Sequence, residues 1–340
     1  MTTKNTYILA IESSCDDTAA AVLCNEQVSS NKIATQKIHE QYGGVVPELA
    51  SRAHEQNIVP VVQAALNEAG VSLQQIDAIA FTKGPGLLGS LMVGASFAKS
   101  LSLGLQIPLI AVNHMQGHLL AHFIKDASSC QPNFPFLGLT ISGGHTQIVI
   151  VRDYFDMELI GQTIDDAIGE AFDKTAKNLG LTYPGGPLID KYAKNGNPKA
   201  FKLPKPKVKD LDFSFSGFKT AVMYLIRKET AKNPNFIAEN LEDLCASVQY
   251  TLCQILLDKV KKAVKQTGIT SIALGGGVSA NSEIRDVFTK AQSRFGWQVA
   301  LPKFSYTTDN AAMIGIAGYY KFLKKDFSDL SVKAQSRIHF

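Results

Sequence analysis

His114 and His118 stand four residues apart in Asn113-His-Met-Gln-Gly-His118. Four residues is about one turn of α-helix, so both imidazoles fall on one face and can reach a single metal ion. His122 continues that face. A strand-like run, Leu109 to Val112, ends just before the pair and would set it at a sheet edge, where ligands gather. Two core or solvated histidines would satisfy the same spacing. So would the H-E-x-x-H helix of zinc proteases, but Met115 holds the place of the catalytic glutamate and leaves that mechanism without an evident general base. A third ligand must come from elsewhere in the chain. Asp309, in Thr307-Thr-Asp-Asn310 at the expected start of a helix, is one candidate.

Three glycine-rich turns follow strand-like runs: Gly84-Pro-Gly86, Ser142-Gly-Gly144 and Gly275-Gly-Gly277. Glycine lets backbone N–H groups approach an anion closely, and a following helix N-terminus favours phosphate. None of the three fits the P-loop or the dinucleotide-binding pattern. In Asp165-Asp-Ala-Ile-Gly-Glu-Ala-Phe-Asp-Lys174, a helix would put Asp166, Gly169 and Asp173 on one face. Helix capping accounts for the first two aspartates, and Lys174 and Lys177 suit the helix end, but Asp173 is left over. The segment Lys199 to Lys209 holds five lysines in eleven residues, broken by prolines, so it is no regular helix. It reads either as a solvated linker or as a mobile loop for a phosphate backbone.

The elements that must position these groups alternate between strand and helix. Strand-like runs at Tyr7–Ile11, Thr18–Leu23, Ile76–Phe81 and Leu109–Val112 are interleaved with helical runs from Pro47 to Gly70 and Leu88 to Leu103. This predicts an α/β sheet. The pattern then restarts. Displaced by 128 positions, Ile8 falls on Phe136, Ile11 on Leu139, Ser14 on Ser142 and Thr18 on Thr146. Further helices are expected at 165–179, 217–230, 241–266 and 309–323, with residues 324–340 as a tail or frayed end.

Composition bounds the rest. With 340 residues, 45% of them hydrophobic and a net charge of +4, the chain can fold as two ordinary domains without staples. Five cysteines without C-x-x-C spacing argue against a zinc knuckle or a disulfide framework and fit a reducing compartment. The stretch Met1 to Tyr7 lacks the pattern of a signal peptide. No apolar run is expected to reach the roughly 18 residues of a membrane helix. A cytoplasmic enzyme that holds a nucleotide's phosphates beside a metal is the expectation.

Together these residues resemble one family, the tRNA N6-adenosine threonylcarbamoyltransferases (TsaD/Gcp). The resemblance runs through Ile11-Glu-Ser-Ser-Cys-Asp-Asp-Thr18, Gly43 to His54, Thr82-Lys-Gly-Pro-Gly-Leu87, Asn113 to His118, Ser142-Gly-Gly-His-Thr146 and Asp165 to Lys174. It continues in Tyr183-Pro-Gly-Gly-Pro187, Phe213-Ser-Phe-Ser-Gly-Phe-Lys219, Gly275-Gly-Gly-Val-Ser-Ala-Asn281 and Thr308-Asp-Asn310, so nearly the whole chain is covered. The fold implied is the two-lobed actin-like ATPase fold of sugar kinases, heat-shock ATPases and actin, built from a duplicated ribonuclease-H-like unit. The implied division is residues 1–112 plus 311–340 as one lobe and 113–310 as the other, with the nucleotide- and metal-binding cleft between them.

The resemblance also implies an activity. The threonylcarbamoyl group would pass from threonylcarbamoyl-AMP to N6 of the adenosine adjacent to the anticodon (position 37), in tRNAs reading codons that begin with A, releasing AMP. His114, His118 and Asp309 would bind one divalent metal ion, Fe2+ or Zn2+. Ile141, Ser142, Gly143, Gly144, His145, Asp173, Gly186, Asp190 and Asn281 would contact the donor. Asp16 and Glu12 are candidates to position the metal or accept a proton. Arg52, Lys199, Lys202, Lys205, Lys207 and Lys209 are candidate tRNA contacts. Implied partners are tRNA, an inactive paralogue of the same fold and a small P-loop ATPase, with no membrane and no DNA. The competing readings are a zinc metalloendopeptidase, a metabolite kinase of the same fold, and a nucleotide-driven binding module, for whose peptide-binding domain the chain has no room.

Overall fold

The computed structural model describes residues 5–126, 131–338 and 340. By internal packing the chain divides into two compact units, Met1–Gln131 with Pro302–Phe340, and Pro132–Leu301.

In the first unit, β1 (Tyr7–Glu12), β2 (Asp17–Cys24), β3 (Gln27–Thr35), β4 (Ala78–Gly84) and β5 (Leu109–Asn113) form one sheet in the order β3-β2-β1-β4-β5. β1 runs antiparallel to β2 and parallel to β4. Its continuous apolar run suits a central strand covered on both faces. On one face Leu9 and Ile11 pack with Ile58, Val62 and Leu66 of α1 (Pro47–Ala69) and with Ala95 and Ala98 of α2 (Leu88–Leu105). Against the other lies α9 (Ala311–Leu323), which the sheet admits closely because two of its residues lack side chains. A Cβ on Gly315 would come within 2.2 Å of Leu23, and one on Gly318 within 2.6 Å of Ala80.

In the second unit, β6 (Phe136–Ile141), β7 (Thr146–Val151), β8 (Met157–Gln162), β9 (Ser271–Gly275) and β10 (Gln298–Ala300) lie in the order β10-β9-β6-β7-β8. Its core joins this sheet to α4 (Ile168–Asn178), α5 (Gly185–Ala193), α6 (Ser216–Thr230), α7 (Phe236–Thr267) and α8 (Ser282–Phe295). Read from β8, its strand order repeats that of the first sheet. The hairpin registers repeat too: Leu9 pairs with Val22, and 128 residues later Leu137 pairs with Ile150. The duplication read from the sequence is thus present in the hydrogen-bond ladder.

Several expectations are corrected. The unit boundaries fall at 131/132 and 301/302, not at 112/113 and 310/311. The reason is packing: α3 (His114–Leu120) seats Gly117 against α9, where a Cβ would lie 3.1 Å from Ile314 and 3.3 Å from the Met313 carbonyl oxygen. Both histidines therefore belong with Asp309 in the first unit. Asp165 and Asp166 do not open α4, whose N-cap is Ala167. Asp165 instead accepts the N–H groups of Phe215 and Ser216 at the start of α6, and Asp166 pairs with Lys174 and Lys219. Residues 324–338 are no frayed end, since Ser328 bridges to Leu109 and Gln335 N–H donates to the Lys83 carbonyl. α2 does reach the length and apolarity of a membrane helix, with a mean hydropathy of 1.3. Here its buried residues Ser90, Leu91, Gly94, Ala95 and Ala98 form one face, while Leu88, Met92 and Leu103 are exposed.

Candidate metal centre

α3 starts where β5 ends. Asn113 caps it, its side-chain oxygen accepting the Met115 N–H at 2.9 Å. The cap fixes where the first turn begins, and with it the direction of His114. Both histidines are buried, and their rings meet edge to face with centroids 4.7 Å apart. Asp309, two residues before α9, brings Oδ1 to 3.3 Å from Nε2 of each. One donor atom from each of the three residues lies within 4.8 Å of the others. Among the described residues, neither ring nitrogen of His118 has a hydrogen-bond partner. Buried polar atoms are ordinarily satisfied, so the orphaned Nε2, facing a carboxylate and a second imidazole, fits the donor set of a cation site.

The opposite edge of His114 is held by the turn after β1. Its Nδ1 lies 3.0 Å from Glu12 Oε2 and 3.2 Å from the Ser14 hydroxyl. Glu12 is fully buried and committed: Oε2 also accepts the Thr82 hydroxyl at 2.6 Å, and Oε1 accepts the Ser14 N–H at 2.5 Å. A neutral His114 that donates Nδ1–H to Glu12 turns the Nε2 lone pair toward Asp309, the tautomer a metal ligand needs. His54 of α1 supports the same turn, its Nδ1 2.7 Å from the Thr18 hydroxyl and its Nε2 2.9 Å from the Cys15 carbonyl.

Burial opposes charge on every member of this group. For His114 the carboxylates of Asp309 and Glu12 outweigh burial and raise the pKa well above that of free imidazole. For His118 burial prevails and lowers it. Burial would raise Asp309 and Glu12, yet the charge on His114 holds both below the usual carboxylate range. Buried Glu12 and half-buried Asp309 thus face the two imidazoles, and a divalent cation in place of an imidazole proton would offset their charge.

In the second unit, the turn from β6 to β7 closes with the Ser142 N–H donating to the His145 carbonyl at 2.8 Å. It rests on α4 at Gly169, where a Cβ would lie 2.7 Å from the Ser142 carbonyl oxygen. Four residues along α4, Asp173 accepts the N–H groups of Gly185 and Gly186 at 2.8 and 3.1 Å, and so opens α5. Burial raises the Asp173 carboxyl against those two hydrogen bonds. On α5, Asp190 accepts the Ser282 hydroxyl at 2.6 Å, beside Asn281, which caps α8. Gly276, at φ +89°, lies against the Ile141 backbone. Ile141–His145, Asp173, Gly186, Asp190 and Asn281 are therefore joined through α4, α5 and two glycine turns.

Over residues 27–316 the sequence matches the TsaD family, tRNA N6-adenosine threonylcarbamoyltransferase. The chain belongs to this family. Threonylcarbamoyltransferase relatives of that name from Christiangramia forsetii and Riemerella anatipestifer are 68% and 57% identical to it. The first match covers 100% of both chains, the second 98% of both. Its structure is similar to that of full-length HypF in the phosphate- and nucleotide-bound form, with a TM-score of 0.62 at 14% identity over 94% of this chain and 46% of that one. At that identity the likeness speaks for the fold alone, the actin-like ATPase fold.

Family membership leaves the peptidase reading without support, and the structure adds a reason. Met115 is buried, and the nearest carboxylate to His114 other than Asp309 is Glu12, already bonded to Thr82 and Ser14. Asp16 lies on the same turn, where its charge raises Cys15 and Asp17 after burial does. The lysine segment is held along α7 and is not a free loop. Phe201 N–H donates to the Ser247 hydroxyl, Lys205 pairs with Asp258 at 2.7 Å, and Lys259 donates to the carbonyls of Val208 and Asp210. Lys199, Lys202, Lys207 and Lys209 face solvent. Arg52 is exposed in an ion pair with Glu48 at 2.7 Å. Reading motifs alone misses Ser14, Thr82 and His54 as supports of the centre, although each lies in a stretch that carries the family resemblance.

Proposed function

We propose that this threonylcarbamoyltransferase-family enzyme moves the threonylcarbamoyl group of threonylcarbamoyl-AMP onto N6 of the adenosine beside the anticodon. N6 attacks the carbamoyl carbon, the bond from that carbon to the phosphate oxygen breaks, AMP leaves, and the N6 proton passes to a base. The observation that carries the reading is the His114, His118 and Asp309 triad in a chain of this family. These residues would hold Fe2+ or Zn2+, both suited to imidazole and carboxylate ligands, and the ion would supply Lewis acidity for a poor nucleophile and a phosphate leaving group.

The chain's own groups divide the remaining work. Glu12 holds His114 in its ligand tautomer, which leaves Asp16 as the candidate proton acceptor. Ile141, Ser142, Gly143, Gly144 and His145, with Asp173, Gly186, Asp190 and Asn281, bind the donor; the backbone of the Ser142 turn offers N–H groups to its oxygens. Exposed Lys199, Lys202, Lys207 and Lys209, and to a lesser extent the paired Lys205 and Arg52, meet the phosphates of tRNA, whose single-stranded loop presents the adenosine. The proposed setting is the cytoplasm, with an inactive paralogue and a small P-loop ATPase as partners and neither membrane nor DNA.

The test is to incubate the protein with threonine, bicarbonate, ATP, those partners and unmodified tRNA, and to look for threonylcarbamoyladenosine by mass spectrometry. Absence of product with partners shown to be active would overturn the proposal.

A further inference from the structure

The segment after α9 runs back across the first sheet. Ser328 N–H donates to the Leu109 carbonyl at 2.8 Å, and the Ser328 hydroxyl accepts the Ala111 N–H at 3.2 Å. Val332 and Ala334 pack against the core formed with α1 and α2. Gln335 and Ser336 then clasp the Gly84-Pro-Gly86 turn from both ends. The Gln335 N–H donates to the Lys83 carbonyl at 2.9 Å, and the Gly86 N–H donates to the Ser336 carbonyl at 3.2 Å. The approach is so close that a Cβ on Gly84, at φ +146°, would sit 1.9 Å from the Gln335 carbonyl oxygen and 3.1 Å from the Ile338 side chain.

The far side of the same turn touches Ser14. Leu87 N–H donates to the Ser14 carbonyl at 2.7 Å, and a Cβ on Gly86 would lie 2.4 Å from that oxygen. Ser14 in turn gives its N–H to Glu12 and brings its hydroxyl to 3.2 Å from His114 Nδ1. Backbone hydrogen bonds thus lead from Gln335 and Ser336 through the glycine turn to Ser14, whose hydroxyl reaches the outer edge of a proposed metal ligand. Outer partners of ligating histidines set ring orientation and are felt in metal affinity.

We infer that residues 328–338 are a positioning strap for the metal centre: by clasping the Gly84-Pro-Gly86 turn they hold Ser14 and Glu12 where these two aim His114. The inference rests on the metal reading of His114, His118 and Asp309. At Gln335 the strap acts through backbone atoms, so that residue's side chain is dispensable while its N–H is not, and at Ile338 it acts through the side chain over Gly84.

The experiment uses the full chain, freed of metal with chelator and titrated with Co2+, whose visible absorption reports ligand geometry. Gln335→Pro removes the N–H that reaches Lys83 and should weaken Co2+ binding about tenfold, with an altered spectrum. Gln335→Ala keeps the N–H and should match the wild type. Should the proline variant fail to fold, Ile338→Ala, which loosens the contact over Gly84 without breaking a backbone bond, decides the matter by a smaller shift in the same direction. A fall in melting temperature with affinity and spectrum unchanged overturns the inference and leaves the metal reading standing. Failure of the wild type to bind Co2+ overturns both.

Discussion

Glu12 Oε2 lies 3.0 Å from His114 Nδ1, on the edge of the ring away from Asp309. A buried carboxylate therefore faces a proposed metal ligand from behind, and it is held there by Thr82 and Ser14. Glu12→Gln keeps the shape and removes the charge. Metal affinity should fall by about 10- to 100-fold, as for other outer partners of ligating histidines. Competition with a chromogenic chelator measures it, and an unchanged affinity would show that the contact does not orient the ring.

His118→Ala should lose the bound metal while the protein stays folded. The side chain is buried, and Asp309, 3.3 Å from its Nε2, keeps His114 at the same distance, so its removal strands no partner. The cost is that of a partly filled space, about 1–3 kcal/mol. Metal content by elemental analysis beside a circular dichroism spectrum is the check; full occupancy would remove His118 from the ligand set.

Gly169→Ala should damage donor binding and leave the metal alone. Its Cβ would lie 2.7 Å from the Ser142 carbonyl oxygen and 2.8 Å from the Gly143 Cα, so the turn must shift. Overpacking of this kind costs about 1–3 kcal/mol. A raised KM for the donor with wild-type metal content is expected, and an unaltered KM would count against the turn as a donor site.

Asp17 carries a pH dependence whose sign follows from its surroundings. Burial, then the charges of Asp16, Asp309 and Glu12, push its carboxyl up to about 7 against a hydrogen bond from Thr35. A raised carboxyl favours the folded state fully only below the unfolded pKa near 4, and that advantage is lost as pH rises to about 7. In chelator-treated protein, Asp17→Asn should therefore stabilise at pH 8, by at most about 4 kcal/mol, with the gain vanishing below pH 4. Thermal unfolding across that range is the measurement. A gain that does not vary with pH would assign the effect to something other than ionisation.

Lys207→Glu with Lys209→Glu should weaken tRNA binding without regard to sequence. Each lysine that no longer meets a phosphate should flatten the dependence of log K on log salt by roughly 0.7–0.9. Binding measured at several salt concentrations separates this from misfolding; an identical slope would return the lysine segment to ordinary solvated surface.

Much of the fold is legible in the sequence because its signals are local. The buried runs of β1 and β6 and the hairpins after them announce themselves by hydrophobic patterning, and the displacement of 128 residues matches the observed register of Leu9 with Val22 and Leu137 with Ile150. Edge strands are harder. In β3, Gln27–Thr35, only Ser30 is buried, so no apolar alternation marks it. β10 has three residues, too few for any period to show. α5 opens on Gly185-Gly-Pro187, which reads as a turn until Asp173 is seen to accept its first N–H groups.

By itself the sequence determined that His114 and His118 share a helix face, because the helical period places residues four apart together whatever surrounds them. It also offered Asp309 as a donor by chemical type. That Asp309 stands 3.3 Å from both imidazoles, that Glu12 and not Asp16 backs His114, and that the last residues clasp Gly84-Pro-Gly86 were decided only by tertiary structure. These contacts join residues that lie far apart along the chain. They depend on the order of strands in the sheet and on how closely α9 and the strap can approach it, and neither is written in the periodicity of any one segment.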